Sequence, residues 1–158
     1  MEEKHVKDVY NEIAIRFDQS RGYYWEGIKI FLLSVESGII LDMGCGNGKN
    51  MILRKDCQTI GFDFCENNVK ICNNKKLEVM VADIRRIPYR NCAFDTVISV
   101  AVLHHIKDNR KEAVKEMLRV LKPGGLLFLQ VWADIVKKNK KLEKIFINEN
   151  AGSPKAKK

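Results

Sequence analysis

The chain has 158 residues, 46% of them hydrophobic and 30% charged, the proportions of one ordinary globular domain. No apolar run approaches the ~20 residues that cross a bilayer, and the charged start MEEKHVKDV has no signal-peptide core, so a cytoplasmic or nuclear protein without a membrane segment is expected. Five cysteines with no C-x-x-C pair, beside three histidines, argue against a disulfide framework and against a metal site.

The net charge of +8 is unevenly placed. Residues 137–158 hold eight lysines against two glutamates, a net +6, which leaves +2 for residues 1–136. The expected organisation is a folded domain over 1–136, its first ~37 residues a helical cap, followed by a lysine-rich, partly disordered tail over 137–158. Such a tail is either a solvated end or an arm that tracks phosphates.

In chain order, Val6, Val9, Tyr10, Ile13 and Phe17 recur at helical spacing and predict an amphipathic helix in the first twenty residues. The loop DQSRGYYW follows, then a second helix over 28–35. GIILDM reads as a buried strand, and a glycine loop then opens a helix at about 49–54. TIGFDF is a second strand, 65–74 a helix, LEVMVAD a third strand and FDTVISVAVL a fourth. Residues 109–121 form a helix with Val114, Met117, Leu118 and Leu121 on one face, and KPGG turns into a fifth strand, LLFLQVW. Alternating strands and helices with nearly continuous apolar strands predict an α/β fold. Its sheet is mostly parallel, with helices on both faces and ligands at the carboxyl ends of the strands.

The loop after the first strand, Asp42-Met43-Gly44-Cys45-Gly46-Asn47-Gly48-Lys49-Asn50, selects among cofactors by spacing. A P-loop needs glycine where Met43 stands and a hydroxyl where Asn50 stands. A dinucleotide loop needs its third glycine one residue later than Gly48, which weakens that reading without removing it. The remaining pattern, D-x-G-x-G-x-G, resembles motif I of class I S-adenosylmethionine-dependent methyltransferases. In that reading Asp42 and the loop backbone face the zwitterionic methionine end. Cys45, inside this turn, reads as a small side chain beside a ligand rather than as a nucleophile.

Asp42, Asp63 and Asp83 each end a predicted strand. Asp63 lies 19 residues after Gly44, near the offset of an acid that hydrogen-bonds ribose hydroxyls. Alone, each would more often be a turn or cap residue. Together they form a constellation on one rim. The superfamily resemblance implies Asp63 at the ribose, Asp83 with Ile84 at the adenine, and Val100 with Ala101 lining the cofactor. The expected cofactor set is therefore Asp42, Gly44, Gly46, Asn47, Gly48, Asp63, Asp83, Ile84, Val100 and Ala101.

VYNEIA, the R-x-x-x-W from Arg21 to Trp25, SVAVLHH and VWA, together with LDMGCGNGKN and RVLKPGG, resemble the eukaryotic tRNA wobble-uridine carboxyl methyltransferases. The resemblance runs over about residues 5–133. It implies S-adenosylmethionine as cofactor, tRNA as substrate, and formation of the methyl ester of 5-carboxymethyluridine at the anticodon wobble position. It also implies a small zinc-binding activator subunit, added along the edge strand of residues 77–82. The family continues through a helix and two further strands where this chain has 25 residues after Ala133, so part of the C-terminal sheet is expected to be lacking and LEKIFINEN is one strand or a helical turn.

A carboxylate acceptor is already ionised at pH 7 and needs alignment more than a base. Arg21 is the candidate that orients it, since a guanidinium holds a carboxylate through two bonds. Tyr23, Tyr24 and Trp25 offer stacking faces for an extruded base or pack the cap on the sheet. Asp63 is expected to help position the acceptor as well as the ribose. His104 and His105 either serve the acceptor, His104 in catalysis and His105 in the pocket, or divide into one that packs and one that bonds the backbone. The candidate catalytic residues are thus Arg21, Asp63 and His104, and the candidate substrate residues Arg21, Tyr24, Trp25 and His105. A small-molecule methyltransferase and a non-catalytic tRNA-binding protein on the same fold remain as alternatives.

Overall fold

In a computed structural model of the chain, the described residues are Val9, Glu12, 25–132 and, as backbone, 145–148. The expected first helix, Arg21, Tyr23 and Tyr24, and most of 137–158 lie outside them. A helix α1 (Glu26–Ser34) leads into β1 (Ile39–Met43) and β2 (Gln58–Asp63). Then come α2 (Glu66–Asn74), β3 (Glu78–Val81), β4 (Phe94–Val100), α3 (Arg110–Val120), β5 (Leu121–Gln130) and β6 (Ile145–Asn148).

The six strands form one sheet in the order β3-β2-β1-β4-β5-β6. All pairs are parallel except β5 with β6. The α/β expectation holds, and part of LEKIFINEN is a strand. The register aligns the strand ends: Met43 lies opposite Phe62 and Ser99, Asp63 opposite Val81, and Val100 opposite Gln130. The loops that leave β1, β2, β3 and β4 therefore share one rim.

Side-chain alternation along the strands feeds two cores. Leu41, Met43, Val97 and Leu127 pack with Ala113, Met117 and Val120 of α3. Ile40, Ile98 and Phe128 pack with Ile28, Phe31 and Leu32 of α1, where the Phe31 and Phe128 rings lie 4.9 Å apart. Each of these large side chains, fully buried, contributes roughly 1.5–3 kcal/mol of transfer free energy.

Three local expectations are corrected. Residues 49–54 form turns, not a helix: Met51 N–H donates to Gly48 O and Leu53 N–H to Asn50 O, three residues back. The segment is too short and too occupied for helix, since Met51 is buried against the Gly61 backbone and Arg54 donates to Leu32 O and Val35 O at the end of α1. KPGG is an irregular part of β5 rather than a turn before it, with Gly124 at φ +79° and a register shift between Phe94 and Thr96. The fourth strand stops at Val100 because Ala101 adopts φ +60°, and Leu103–His105 form a single 3-10 turn.

Candidate functional site

The strand ends surround a cavity of about 200 Å³. Its floor is the glycine loop, whose geometry follows from three left-handed glycines at φ +71°, +54° and +75°. They have different reasons to be glycine. A Cβ on Gly44 would meet Val102 Cγ2 at 2.3 Å, and one on Gly48 would meet Leu77 Cδ1 at 2.3 Å. Around Gly46 nothing lies within 4 Å. Gly46, which lines the cavity, leaves open space where a ligand could approach the bare backbone.

The loop is tied down from below. Gly44 N–H and Cys45 N–H both donate to Phe62 O, at 2.8 and 3.0 Å. The Cys72 thiol donates to Gly46 O at 3.2 Å and Lys75 Nζ to Asn47 O at 3.0 Å, so α2 takes up the loop carbonyls. The neighbouring Cys72 thiol and burial push the Cys45 thiol well above its ordinary range, which leaves it a neutral wall of the cavity at pH 7.

Asp63 clips the loop to α2. Its Oδ2 accepts from Gly46 N–H at 2.8 Å, and its Oδ1 accepts from Cys65 N–H at 2.8 Å and from Asn68 Nδ2 at 3.2 Å. Burial raises its carboxyl above the ordinary value, while the Cys65, Gly46 and Asn68 hydrogen bonds pull it down. Asp42 is wholly buried, and neither of its carboxylate oxygens has a hydrogen-bond partner among the described residues. Burial, with the Asp63 charge adding to it, raises the Asp42 carboxyl from 3.8 to about 7; the Asn50 amide and Lys49 charge oppose the rise. A buried acid of this kind, directly beneath a loop with an open cradle, fits a ligand that brings a positive group to that end.

At the third strand end, burial works against the Asp83 carboxylate, but the Arg85 guanidinium, bonded at 2.5 to 3.1 Å, leaves it net below its ordinary range. At the fourth, Ala101 N–H donates to Gln130 O at 2.7 Å and holds the left-handed turn in place. Trp25 and Trp132 close one side, edge to face at 5.2 Å and 88°.

Of the residues expected from sequence, Gly44, Gly46, Asn47, Asp63, Asp83 and Ile84 line this cavity, as do Val100, Ala101, His105 and Trp25. Asp42 and Gly48 lie behind the wall, and Arg21 and Tyr24 lie outside the described residues. His104 also stands off the cavity. Its ring is 4.0 Å from that of His105, and its Nδ1 accepts from Trp132 N–H at 3.5 Å. Burial, His105 and Arg110 lower the His104 imidazole to about 4, so it is neutral at pH 7; burial also lowers His105.

Sequence reasoning missed Trp132, Phe64, Asn50 and Arg85 as cavity residues. The VWA segment, where Trp132 lies just past β5 on the same rim, held a usable signal. Among the described residues no cluster of His, Cys, Asp and Glu is placed to hold a metal ion, and no helix is long and apolar enough to cross a membrane.

Comparison with known proteins agrees with this geometry. The family described as "Methyltransferase domain" matches residues 41–129. The chain is 46% identical over 136 residues to a tRNA (carboxymethyluridine(34)-5-O)-methyltransferase of Arabidopsis thaliana, covering 84% of this chain and 34% of that protein. It is 35% identical over 150 residues to a protein of Encephalitozoon cuniculi described as a "putative methyltransferase", covering 90% and 69%. The chain thus spans about a third or less of the length of the curated relatives named as tRNA methyltransferases. Among solved structures, the "complex between the Haloferax volcanii Trm112 methyltransferase activator and the putative methyltransferase" matches with a TM-score of 0.69 at 24% identity, over 78% of this chain and 59% of that one. S-adenosylmethionine is the cofactor that this domain implies, and the open cradle at Gly46 and the buried Asp42 suit its cationic methionine end. The chain belongs to the methyltransferase-domain family, and its fold is that of the class I S-adenosylmethionine-dependent methyltransferases.

Proposed function

We propose that this chain methylates the carboxylate of 5-carboxymethyluridine at the wobble position of tRNA, acting with a small zinc-binding activator subunit. The observation that carries the reading is the 46% identity, over 84% of this chain, to a relative named for that reaction.

Bound S-adenosylmethionine supplies a methyl group already activated on a sulfonium. What the chain must add is a place for the cofactor and an aligned acceptor. In this reading the loop at Gly44 and Gly46 carries the methionine end over Asp42. Asp63 meets the ribose, and Asp83 with Ile84 meets the adenine. Transfer needs an oxygen lone pair in line with the breaking bond, and the acceptor carboxylate is ionised at pH 7, so no residue has to remove a proton. A neutral His104 is consistent with that demand, because it acts on Trp132 and not on a proton. Trp25 and Trp132 offer aromatic faces for an extruded base. Arg21 is assigned to the carboxylate as a bidentate partner.

The activator is assigned to β3. This strand is one edge of the sheet, with Met80 38% and Val81 48% exposed, and an exposed apolar edge invites an added strand. The Haloferax volcanii complex, a protein of the same fold with a methyltransferase activator, supports an activator partner. Nucleoside mass spectrometry of tRNA carrying 5-carboxymethyluridine, incubated with cofactor and the co-purified pair, tests the function. A wobble nucleoside one methyl heavier that reverts in mild alkali is the expected ester. Unchanged nucleoside, with the cofactor demonstrably bound, would contradict the proposal.

A further inference from the structure

A second cleft adjoins the cofactor cavity. Asp83, Arg85, Arg86, Asn109 and Glu112 line it, and Asp83 and Arg85 line the cavity as well, so the two share a wall. One side is the loop after β3 and the other the start of α3. Over residues 83–86 and 107–112 the chain places Arg85, Arg86, Lys107, Arg110 and Lys111 against Asp83, Asp108 and Glu112. That excess of +2 equals the whole net charge of residues 1–136.

The acids lining the cleft are already matched. Asp83 is paired with Arg85 at 2.5 Å, and Glu112 with Lys115 at 3.3 Å. Arg110 donates through Nε to Ile106 O and through Nη2 to His104 O, contacts that hold its guanidinium without cancelling its charge. Arg86 lines the cleft and Lys111 stands in the first turn of α3 beside it; both are exposed and form no ion pair among the described residues. Exposed cations beside the mouth of the cavity suit a polyanion that extends beyond the group being modified.

We propose that the cleft between the β3 loop and α3 binds the phosphate backbone of the RNA whose base enters the adjoining cavity. The inference rests on the tRNA reading and adds where the strand runs: past Arg86 and Lys111. Contacts of this kind give affinity without sequence preference and release counterions, so they register in the salt dependence of binding.

The test is fluorescence anisotropy of a labelled anticodon stem-loop RNA with the full chain across a salt series, for wild type and an Arg86→Ala, Lys111→Ala variant. The variant should bind at least about tenfold more weakly, with a salt slope shallower by about 1.4, or ~0.7 for each lost single-strand phosphate contact. S-adenosylhomocysteine affinity and the unfolding temperature should stay unchanged, which separates lost contacts from lost folding. Arg86→Lys should keep wild-type binding, and so should Lys55→Ala, whose site precedes β2 at the opposite end of the sheet. Wild-type affinity and slope in the double variant would overturn the cleft assignment while leaving the tRNA reading intact. An equal loss in Lys55→Ala would also overturn it. Wild-type protein that binds no RNA would overturn both.

Discussion

The Asp63 carboxylate and the Gly46 amide are hydrogen-bonded at 2.8 Å, across the gap between the second strand end and the cofactor loop. The other carboxylate oxygen holds Cys65 N–H and Asn68 at the start of α2. One buried acid therefore shapes the loop, starts a helix and faces the cavity. In Asp63→Asn one carboxylate oxygen becomes an N–H donor aimed at another donor. Hydrogen bonds to charged groups contribute ~1.5–3 kcal/mol each. The variant should unfold at lower temperature, and its S-adenosylhomocysteine affinity by calorimetry should fall at least about tenfold. Unchanged affinity would remove Asp63 from the site.

Two glycines in one loop should respond differently to alanine. Both have left-handed backbone, which costs an L-residue roughly 1–2 kcal/mol. Gly44→Ala adds a 2.3 Å approach to Val102, so it should destabilise the fold strongly. Gly46→Ala meets nothing within 4 Å, so it should fold with only the backbone cost and yet lose cofactor binding. Denaturant unfolding beside calorimetric titration separates the two effects.

Ala101 is held at φ +60°, where glycine is at ease. Ala101→Gly relieves the left-handed cost but adds unfolded-chain entropy of about 0.4–1 kcal/mol, so it should be neutral or stabilising by up to ~1.6 kcal/mol. Ala101→Val puts a β-branched side chain in the same conformation and should destabilise. Equal midpoints for the valine and alanine proteins in urea would contradict the strain.

Asp42 makes a pH-dependent contribution of definite sign. Its folded carboxyl titrates near 7 against 3.8 ordinarily, so between pH 4 and 7 the folded state binds more protons than the unfolded state. Stability from this group is fully present below about pH 4 and is lost as pH rises through 7. The span corresponds to roughly 4 kcal/mol. His104, lowered to about 4, acts oppositely: its stabilising contribution grows as pH rises from 4 to 6.5. The stability difference between wild type and Asp42→Asn cancels the histidine. Measured without cofactor, it should shift in favour of Asn as pH rises from 4 to 8, and a flat difference would contradict the burial argument.

The His104 ring itself should titrate near 4 by proton NMR, well below an ordinary histidine. Methyl transfer should accordingly show no inflection from this group between pH 6 and 9.

The strands of this fold were legible because buried parallel strands are short apolar runs, and GIILDM, TIGFDF and FDTVISVAVL each supplied one, the last ending early at Val100. The acids at their ends followed from the same reading, as did the glycine spacing. What periodicity could not reach was tertiary. Residues 49–54 are helix-like in composition, but Arg54 is drawn to the carbonyls of α1 and Met51 to Gly61. KPGG reads as a turn, yet pairing with β4 stretches it into a strand with an irregular register. For His104 and His105 the sequence left catalysis open beside a split into one ring that packs and one that bonds the backbone, and only the fold shows that a His104 nitrogen takes the Trp132 amide while His105 lines the cavity. Trp132 went unnoticed because its role depends on meeting Trp25 from the far end of the sequence.

The central claim is carboxylate methylation on tRNA. Its most direct test is tritium transfer from labelled S-adenosylmethionine, by the chain with its activator, into two tRNAs that differ only in the wobble residue, 5-carboxymethyluridine or unmodified uridine. The account predicts transfer to the first tRNA alone, abolished by Arg21→Ala. No transfer despite bound cofactor, or equal transfer to the tRNA without the carboxylate, would contradict it.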